Sequence, residues 1–251
     1  MHEPIDVFRV PDRVRAGNLS RRHGEHAVGS GVPESATSTR LSSLSPSLTQ
    51  DLLRFDQDGR AADLLEVLAA ALRHGRSITA HLWHDDKELP LTVFPRQQLA
   101  YCPLAVLTLL KKSGASLSVL QVEPAMLRPP GDAAEELVGK PHLYRPLSPL
   151  LWSVALHDAN NNLLPELSGA AVYRLSPTFD LAVLSDEGPI RMALTQLRED
   201  VASLRVIASW PGMSRELAKR LLNALYLQSG LIISRSHPAA LSDSWFSSLL
   251  S

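Results

Sequence analysis

Apolar residues recur along the chain with the period of a helix in some segments and of a strand in others. The first clear helical segment contains Leu64, Leu68 and Leu72, which fall on one face at helical spacing. Gly75 follows this segment, and a glycine after the last apolar position is a common helix stop. The pattern therefore predicts a helix over residues 60–74.

The following segment has the alternation typical of β-strands. Strands are predicted at residues 78–83, 89–94, 99–102 and 117–122, and a second helix begins at Pro103. The polar residues 85–88 form the turn of a hairpin between the first two strands. Pro90 lacks a backbone N–H, so it favours an edge position for the second strand. Two helices on one face of this antiparallel meander would bury a single core.

The clearest succession of elements lies near the end of the chain. Val201, Leu204 and Ile207 predict one helix, and the Pro-Gly pair at 211–212 ends it. Ser214 is in the N-cap position of a second helix over residues 214–229. Gly230 and a short run of β-branched residues then indicate a strand. Helix, turn, helix and strand in this order are typical of a winged-helix or helix-turn-helix module.

Together these elements predict an α+β protein with two domains. An N-terminal helix and antiparallel meander is followed by a mixed, mainly helical, winged-helix-like domain. The predicted divisions are a disordered leader and linker at 1–47, the α+β domain at 48–127, a Pro-rich linker at 128–147 and the winged-helix-like domain at 148–251.

Composition narrows the class of protein. Of the 251 residues 45% are hydrophobic and 20% are charged, which is typical of a globular chain rather than a disordered one. The formal net charge of −1 lacks the basic excess that nucleic-acid-binding proteins usually carry. No apolar run is long enough to span a bilayer. We therefore expect a soluble cytoplasmic protein without membrane contact.

The second helix of the C-terminal pair carries the candidate contact residues. They are Arg215, Lys219, Arg220 and Asn223. A recognition helix with such a polar, basic first half is how helix-turn-helix proteins read the major groove. Acidic residues nearby, among them Glu199 and Glu216, weaken this interpretation, and contact with a protein partner is the favoured one.

No pattern in the sequence predicts catalysis or a bound cofactor. Gly-rich phosphate loops and Gly-x-Ser-x-Gly elbows are absent from the sequence. His81 and His84 are three residues apart on a predicted strand, so they point to opposite faces and do not form a shared metal site. The single cysteine, Cys102, excludes an intramolecular disulfide, and a buried structural thiol is favoured over one activated by the following helix. We therefore expect a protein that is not an enzyme and holds neither cofactor nor metal.

The order of elements over residues 48–124 resembles PATAN-type domains, small α+β modules of bacterial signalling proteins. The residues that carry the resemblance are LLEVL at 64–68, LTVFPRQQLAYCPLAVLTLL at 91–110 and LSVLQVEPA at 117–125. Such families often carry a winged-helix extension, which residues 189–234 resemble. The resemblance implies a non-enzymatic adaptor in gliding, pilus motility, polarity or two-component signalling.

Two functional hypotheses follow from these patterns. The first is a regulatory or scaffold protein that acts through protein–protein contacts in bacterial signalling or motility, with another protein as its partner. The second is a transcriptional regulator that binds DNA through the helix at 214–229.

Overall fold

The structure is a computed structural model that is described here over most of the chain. The described residues are 46–56, 63–84, 86–103, 106, 108–109, 118–157, 160–180 and 188–236. All of them belong to one compact unit that spans residues 35–251. Of the leader and linker predicted at 1–47, residues 1–45 lie outside the described residues and residues 46–47 begin the first helix.

Helices and antiparallel sheets together make up the described chain, so the α+β class is confirmed. The helices are α1 (Pro46–Asp56), α2 (Leu64–His74), α3 (Leu147–His157), α4 (Pro189–Glu199), α5 (Leu204–Ala208) and α6 (Arg215–Leu227). The strands are β1 (Ile78–His84), β2 (Lys87–Phe94), β3 (Leu99–Tyr101), β4 (Ser118–Pro124), β5 (Tyr144–Pro146), β6 (Val172–Leu175), β7 (Ala202–Ser203) and β8 (Leu231–Ser234). Val106, Thr108 and Leu109 are also helical, in the region where the sequence predicts a helix after Pro103.

Helix α2 is capped at both ends by residues next to it in the sequence. The Asp63 carboxylate accepts a hydrogen bond from the Leu65 N–H at 3.1 Å, which caps the first turn. Gly75 has a φ of 58° and its N–H binds carbonyls of the last turn. The face of α2 that contains Leu64 and Leu68 is buried, as its spacing predicts.

Five strands form the larger sheet in the order β4-β1-β2-β3-β5. The β1–β2 hairpin pairs Ile78 with Val93 and continues in register to His84 and Lys87. One face of the sheet carries Ile78, Leu82 and Val93, which are all buried in the core. Leu120 of β4 is the extra residue of a β-bulge, because β1 pairs with Gln121 and then with Val119.

The edge position predicted for the second strand from Pro90 is wrong, since β2 lies between β1 and β3. The backbone explains why proline is tolerated there. Strand β3 pairs only with residues 92–94 of β2, so Pro90 faces no ladder partner on that side among the described strands. The second strand therefore lies in the interior of the sheet, but at Pro90 it has a paired neighbour on only one side, as an edge strand does.

Residues 128–147 are predicted as a linker, whereas in the structure they form part of the fold. Strand β5 comes from this segment and pairs with β3, with Tyr144 opposite Tyr101. The Tyr144 hydroxyl donates a hydrogen bond to the Arg128 carbonyl at 2.5 Å and accepts one from the Gly139 N–H at 2.8 Å. Gly139 lies so close to the Tyr101 ring that a Cβ there would come within 2.4 Å of it. Strand pairing and the Tyr144 hydrogen bonds thus hold this segment in the fold. The wider division into two domains stays a prediction.

Three strands form the smaller sheet in the order β7-β6-β8. The sequence predicts a helix from Val201, but the helix α5 begins only at Leu204 because residues 202–203 form β7. Tyr173 of β6 is buried and its hydroxyl donates to the Leu167 carbonyl at 2.5 Å. Burial raises the pKa of this phenol, and the charge of Arg235 opposes the shift.

Helix α3 connects the parts of the core. It packs against α6 and also contacts α2 and β3. Its residues Leu147, Leu151 and Ala155 are buried in the same apolar cluster as both sheets. The elements around α3 therefore share one continuous core, which holds α6 in a fixed position.

Candidate interaction surface

The N-terminal end of α6 presents the predicted contact residues. The Ser214 hydroxyl accepts a hydrogen bond from the Leu217 N–H at 3.1 Å and so fixes where the helix begins. Arg215 and Glu216 follow in the first turn and are exposed, while Lys219, one turn later, is half-buried. The structure therefore places Arg215 and Lys219 at the accessible end of the helix.

Glu216 modifies the charge of this end. Its own backbone N–H and the Ser214 hydroxyl bind the carboxylate and lower the pKa of Glu216 below its ordinary value of 4.5. The charges of Lys219 and Arg215 add to that shift. The ionised form of Glu216 is thus favoured, so the helix end carries both signs of charge.

Arg220 is less accessible than the sequence indicates. Its side chain is half-buried and its Nε atom is buried without a recorded hydrogen-bond acceptor among the described residues. A guanidinium held in this way has its stem in the protein interior. Arg220 therefore contributes packing as well as charge.

Asn223 is predicted as a contact residue, and the structure corrects this prediction. The side chain is 0% exposed. Its Oδ1 accepts a hydrogen bond from the Leu164 N–H at 3.0 Å, and its Nδ2 donates one to the Asn162 carbonyl at 2.7 Å. Asn223 thus holds the loop after α3 against α6, a role that its polar character alone does not reveal.

The exposed side of the α5–α6 corner and the first turn of α6 together form a larger surface. We call these exposed residues the corner surface: Arg205, Val206, Ser209, Pro211, Ser214 and Arg215. Val206 is 45% exposed although it is aliphatic. Gly212 lies against Pro189 at the start of α4, where a Cβ would come within 2.6 Å of the proline ring. The turn between α5 and α6 therefore lies against the first residue of α4.

A second polar group lies on the larger sheet. His81 of β1 is bound through Nδ1 to Glu88 of β2 at 2.5 Å and through Nε2 to Glu123 of β4 at 3.1 Å. Both ring nitrogens are occupied, so neither is available to a metal ion in this arrangement. No cluster of three or more metal-ligating side chains was found in the part of the chain that the structure describes.

A cavity lies at the opposite end of α6. Its volume is about 520 Å³, and it is bounded by the ends of α2 and α6, the turn after β2, and β8. The lining residues come from three separate stretches of sequence, at 69–75, 95–98 and 226–233, so no local motif predicts the cavity. Cys102 lies elsewhere and is buried with its Sγ 3.4 Å from the Pro103 carbonyl oxygen, the environment expected of a structural thiol.

No described helix has the length and apolar character required to cross a bilayer. Comparison with known proteins gives no further identification. No protein-family model matches the sequence, and neither curated proteins nor solved structures yield a match to the chain.

Proposed function

We propose that this chain is a non-enzymatic regulatory or scaffold protein that binds another protein through the corner surface. The observation that carries the proposal is the exposed Val206, an aliphatic side chain beside Arg205 at a corner whose second helix is anchored in the core. Protein-binding sites commonly combine an apolar centre with a polar and charged rim.

Rigid support favours binding through this corner. The five residues from Leu221 to Leu225 are all buried, and α6 packs against both α3 and α5. A surface on such a helix loses little conformational freedom on binding, which lowers the entropic cost of association. A specific contact here would bury roughly 600 to 1,000 Å² on each partner.

The mixed charge of the helix end also supports a protein partner. Arg215 and Lys219 flank the ionised Glu216, so a partner needs groups of both signs to match them. A nucleic-acid backbone offers only negative charge, and Glu216 would repel it.

The same proposal includes two modules, one winged-helix-like and one PATAN-like. Helix α4, strand β7, helices α5 and α6 and strand β8 follow each other in the order of a winged-helix-like module, with β6 as the central strand of its sheet. The proposed N-terminal module is PATAN-like and contains α2 and β1 to β4. We place the complete adaptor in the bacterial cytoplasm, in a signalling or motility assembly.

DNA binding through α6 is the second candidate function. It is favoured by one observation, the exposed Arg215 at the start of the second helix of a helix-turn-helix corner. In that case Arg215 and Lys219 would contact the major groove and the phosphates beside it.

The test of the protein-contact proposal is a cross-linking capture from the source organism with matched variants. V206E places a charge on the corner surface, and I232E makes the same change at a side chain of similar exposure, 47%, on β8. We expect V206E to lose a captured partner that wild type and I232E retain. Retention of every captured protein by V206E would contradict the proposal.

A separate measurement distinguishes DNA binding. Anisotropy of a labelled duplex is followed while salt rises from about 50 mM to 200 mM, a range over which phosphate contacts weaken by orders of magnitude. The protein-contact proposal predicts weak binding that R215E/K219E does not change. Tight, salt-sensitive binding that this double variant abolishes would establish the DNA alternative instead.

A further inference from the structure

The cavity of about 520 Å³ beyond the C-terminal end of α6 has the features of a small-molecule site. Its volume is within the range of about 300–1,000 Å³ that is usual for ligand pockets. Leu72, Leu231 and Ile233 supply apolar walls, and polar side chains such as Arg96, Gln98 and Tyr226 line the rest. A pocket lined by both apolar and polar groups selects ligands that have both an apolar body and a polar head.

The charge of the lining is one-sided. None of the thirteen lining residues is acidic, and two of them are arginines. The charge of Arg73 is already matched, because its guanidinium binds the carboxylates of Asp51 and Glu166. For Arg96, in contrast, the structure records no hydrogen bond or ion pair with any described residue, which leaves its guanidinium available to a ligand.

The C-terminal ends of α2 and α6 carry partial negative charge, which opposes the positive charge of Arg96 only in part. Each helix end carries at most about half a negative charge. The last turns are also closed by backbone donors, since Gly75 N–H binds Leu72 O and Gly230 N–H binds Leu225 O. The two ends together carry at most about one negative charge before this closure, and Arg96, whose Nε lies 3.5 Å from the Cβ position of Gly75, supplies a full positive charge beside them.

Two hydroxyl groups accompany the arginine. Tyr226 is half-buried and Ser229 is exposed, and both line the cavity. No hydrogen bond of either hydroxyl to another described residue is recorded, so both are available as donors. A guanidinium and two hydroxyls together match the oxygens of a carboxylate, phosphate or sulfonate group.

We propose that this cavity binds a small organic anion, with its negative group on Arg96 and its aromatic or branched aliphatic body against Leu72, Leu231 and Ile233. Arg96 forms the charge-assisted contact, and the Tyr226 hydroxyl adds a further hydrogen bond. The site is at the other end of α6 from the corner surface, about 16 Å from Arg215 at the helical rise. It is independent of the proposed partner contact.

Two fluorescent probes that differ only in charge test the proposal on the full chain. Anilinonaphthalene sulfonate carries an anionic group on two aromatic parts, and phenylnaphthylamine has the same aromatic parts without the sulfonate. We expect R96Q to weaken binding of the sulfonate probe about tenfold or more, because a charged hydrogen bond is lost. Binding of the neutral probe should change by less than about twofold, since its apolar contacts remain.

The matched control is R76Q, which removes the same charge from an exposed arginine that does not line the cavity. It should bind both probes as wild type does. Y226F should weaken only the sulfonate probe, by less than R96Q. Urea unfolding checks that each variant is folded. Equal effects of R96Q and R76Q, equal affinity of wild type for both probes, or no binding of the sulfonate probe would each overturn the proposal.

Discussion

The two halves of α6 differ in almost every physical respect. In the first half Arg215 and Glu216 are exposed, and the helix end meets solvent. In the second half each residue from Leu221 to Leu225 is buried. Five consecutive buried residues exceed one turn of 3.6 residues, so the helix is enclosed on every side over residues 221–225. One helix thus anchors the fold at one end and presents a surface at the other.

This difference indicates how the proposed contact surface at the start of α6 is supported, namely by the buried second half of the same helix. In the exposed half only Ala218 is buried, whereas the enclosed half is continuous with the core, and the helix packs against both α3 and α5. Substitutions in the enclosed half should therefore change stability, and substitutions in the exposed half should change binding.

The largest expected effect is that of Leu221→Ala in the enclosed half. Leu221 is 0% exposed, and its truncation leaves a cavity that should lower the free energy of unfolding by about 2–5 kcal/mol. Leu217→Ala, at a half-buried position of the exposed half, is the matched control and should cost clearly less. Urea unfolding of both variants checks the comparison, and equal losses would contradict it.

Asn223→Ala should have the next largest effect. The variant leaves the buried Leu164 N–H and the Asn162 carbonyl without their partner, which should destabilise the protein by about 1–3 kcal/mol. Asn162→Ala removes an exposed side chain nearby and should stay within about 0.5 kcal/mol of wild type. Thermal and urea unfolding report both values. An unchanged Asn223→Ala would show that the side chain is not a structural link.

Removal of the helix cap should have a moderate effect. Ser214→Ala leaves the Leu217 N–H without its acceptor, at a cost of about 1 kcal/mol. Ser214→Asp retains a capping oxygen and should unfold close to the wild-type midpoint. If both variants lost the same stability, the loss would arise from something other than the cap.

The smallest expected effect is the pH dependence that Glu216 contributes. Hydrogen bonds to its own backbone N–H and to Ser214 lower the pKa of Glu216, so its contribution to stability is present above about pH 4.5 and is lost as the pH falls through the lowered value. Wild type should therefore lose stability on acidification slightly more steeply than E216Q. The difference should shrink in an S214A background, because one of the hydrogen-bond donors is then absent. An unchanged difference there would exclude Ser214 as a cause.

Much of the fold could be predicted from local sequence features, namely helix caps and the period of apolar residues. Gly75 ends α2 and Ser214 begins α6 because each acts on the turn beside it, and the period of residues 78–94 is enough to predict the hairpin. The interior position of β2 was not predictable in this way. Pro90 indicates only that its own backbone N–H is missing. The position of β2 in the sheet is decided by the pairing of β3 with residues 92–94 of β2.

The exposure of the candidate contact residues was predictable only in part. Arg215 and Lys219 lie at the accessible end of α6, and their charge was visible in the sequence. The burial of Asn223 depends on the loop at residues 160–167, which is about sixty positions away in the chain, and its polarity gave the opposite indication. The cavity around Arg96 combines three distant segments and has no signature in any of them.

Amide hydrogen exchange, with and without a captured partner, tests the proposed division of α6 most directly. In the free protein the amides of 221–227 should be among the slowest to exchange, since they open only with the core. Addition of the partner should slow exchange at residues 204–215 and leave the β1–β2 hairpin at 78–94 unchanged. Slowed exchange confined to the hairpin, or fast exchange at 221–227 in the free protein, would contradict the account.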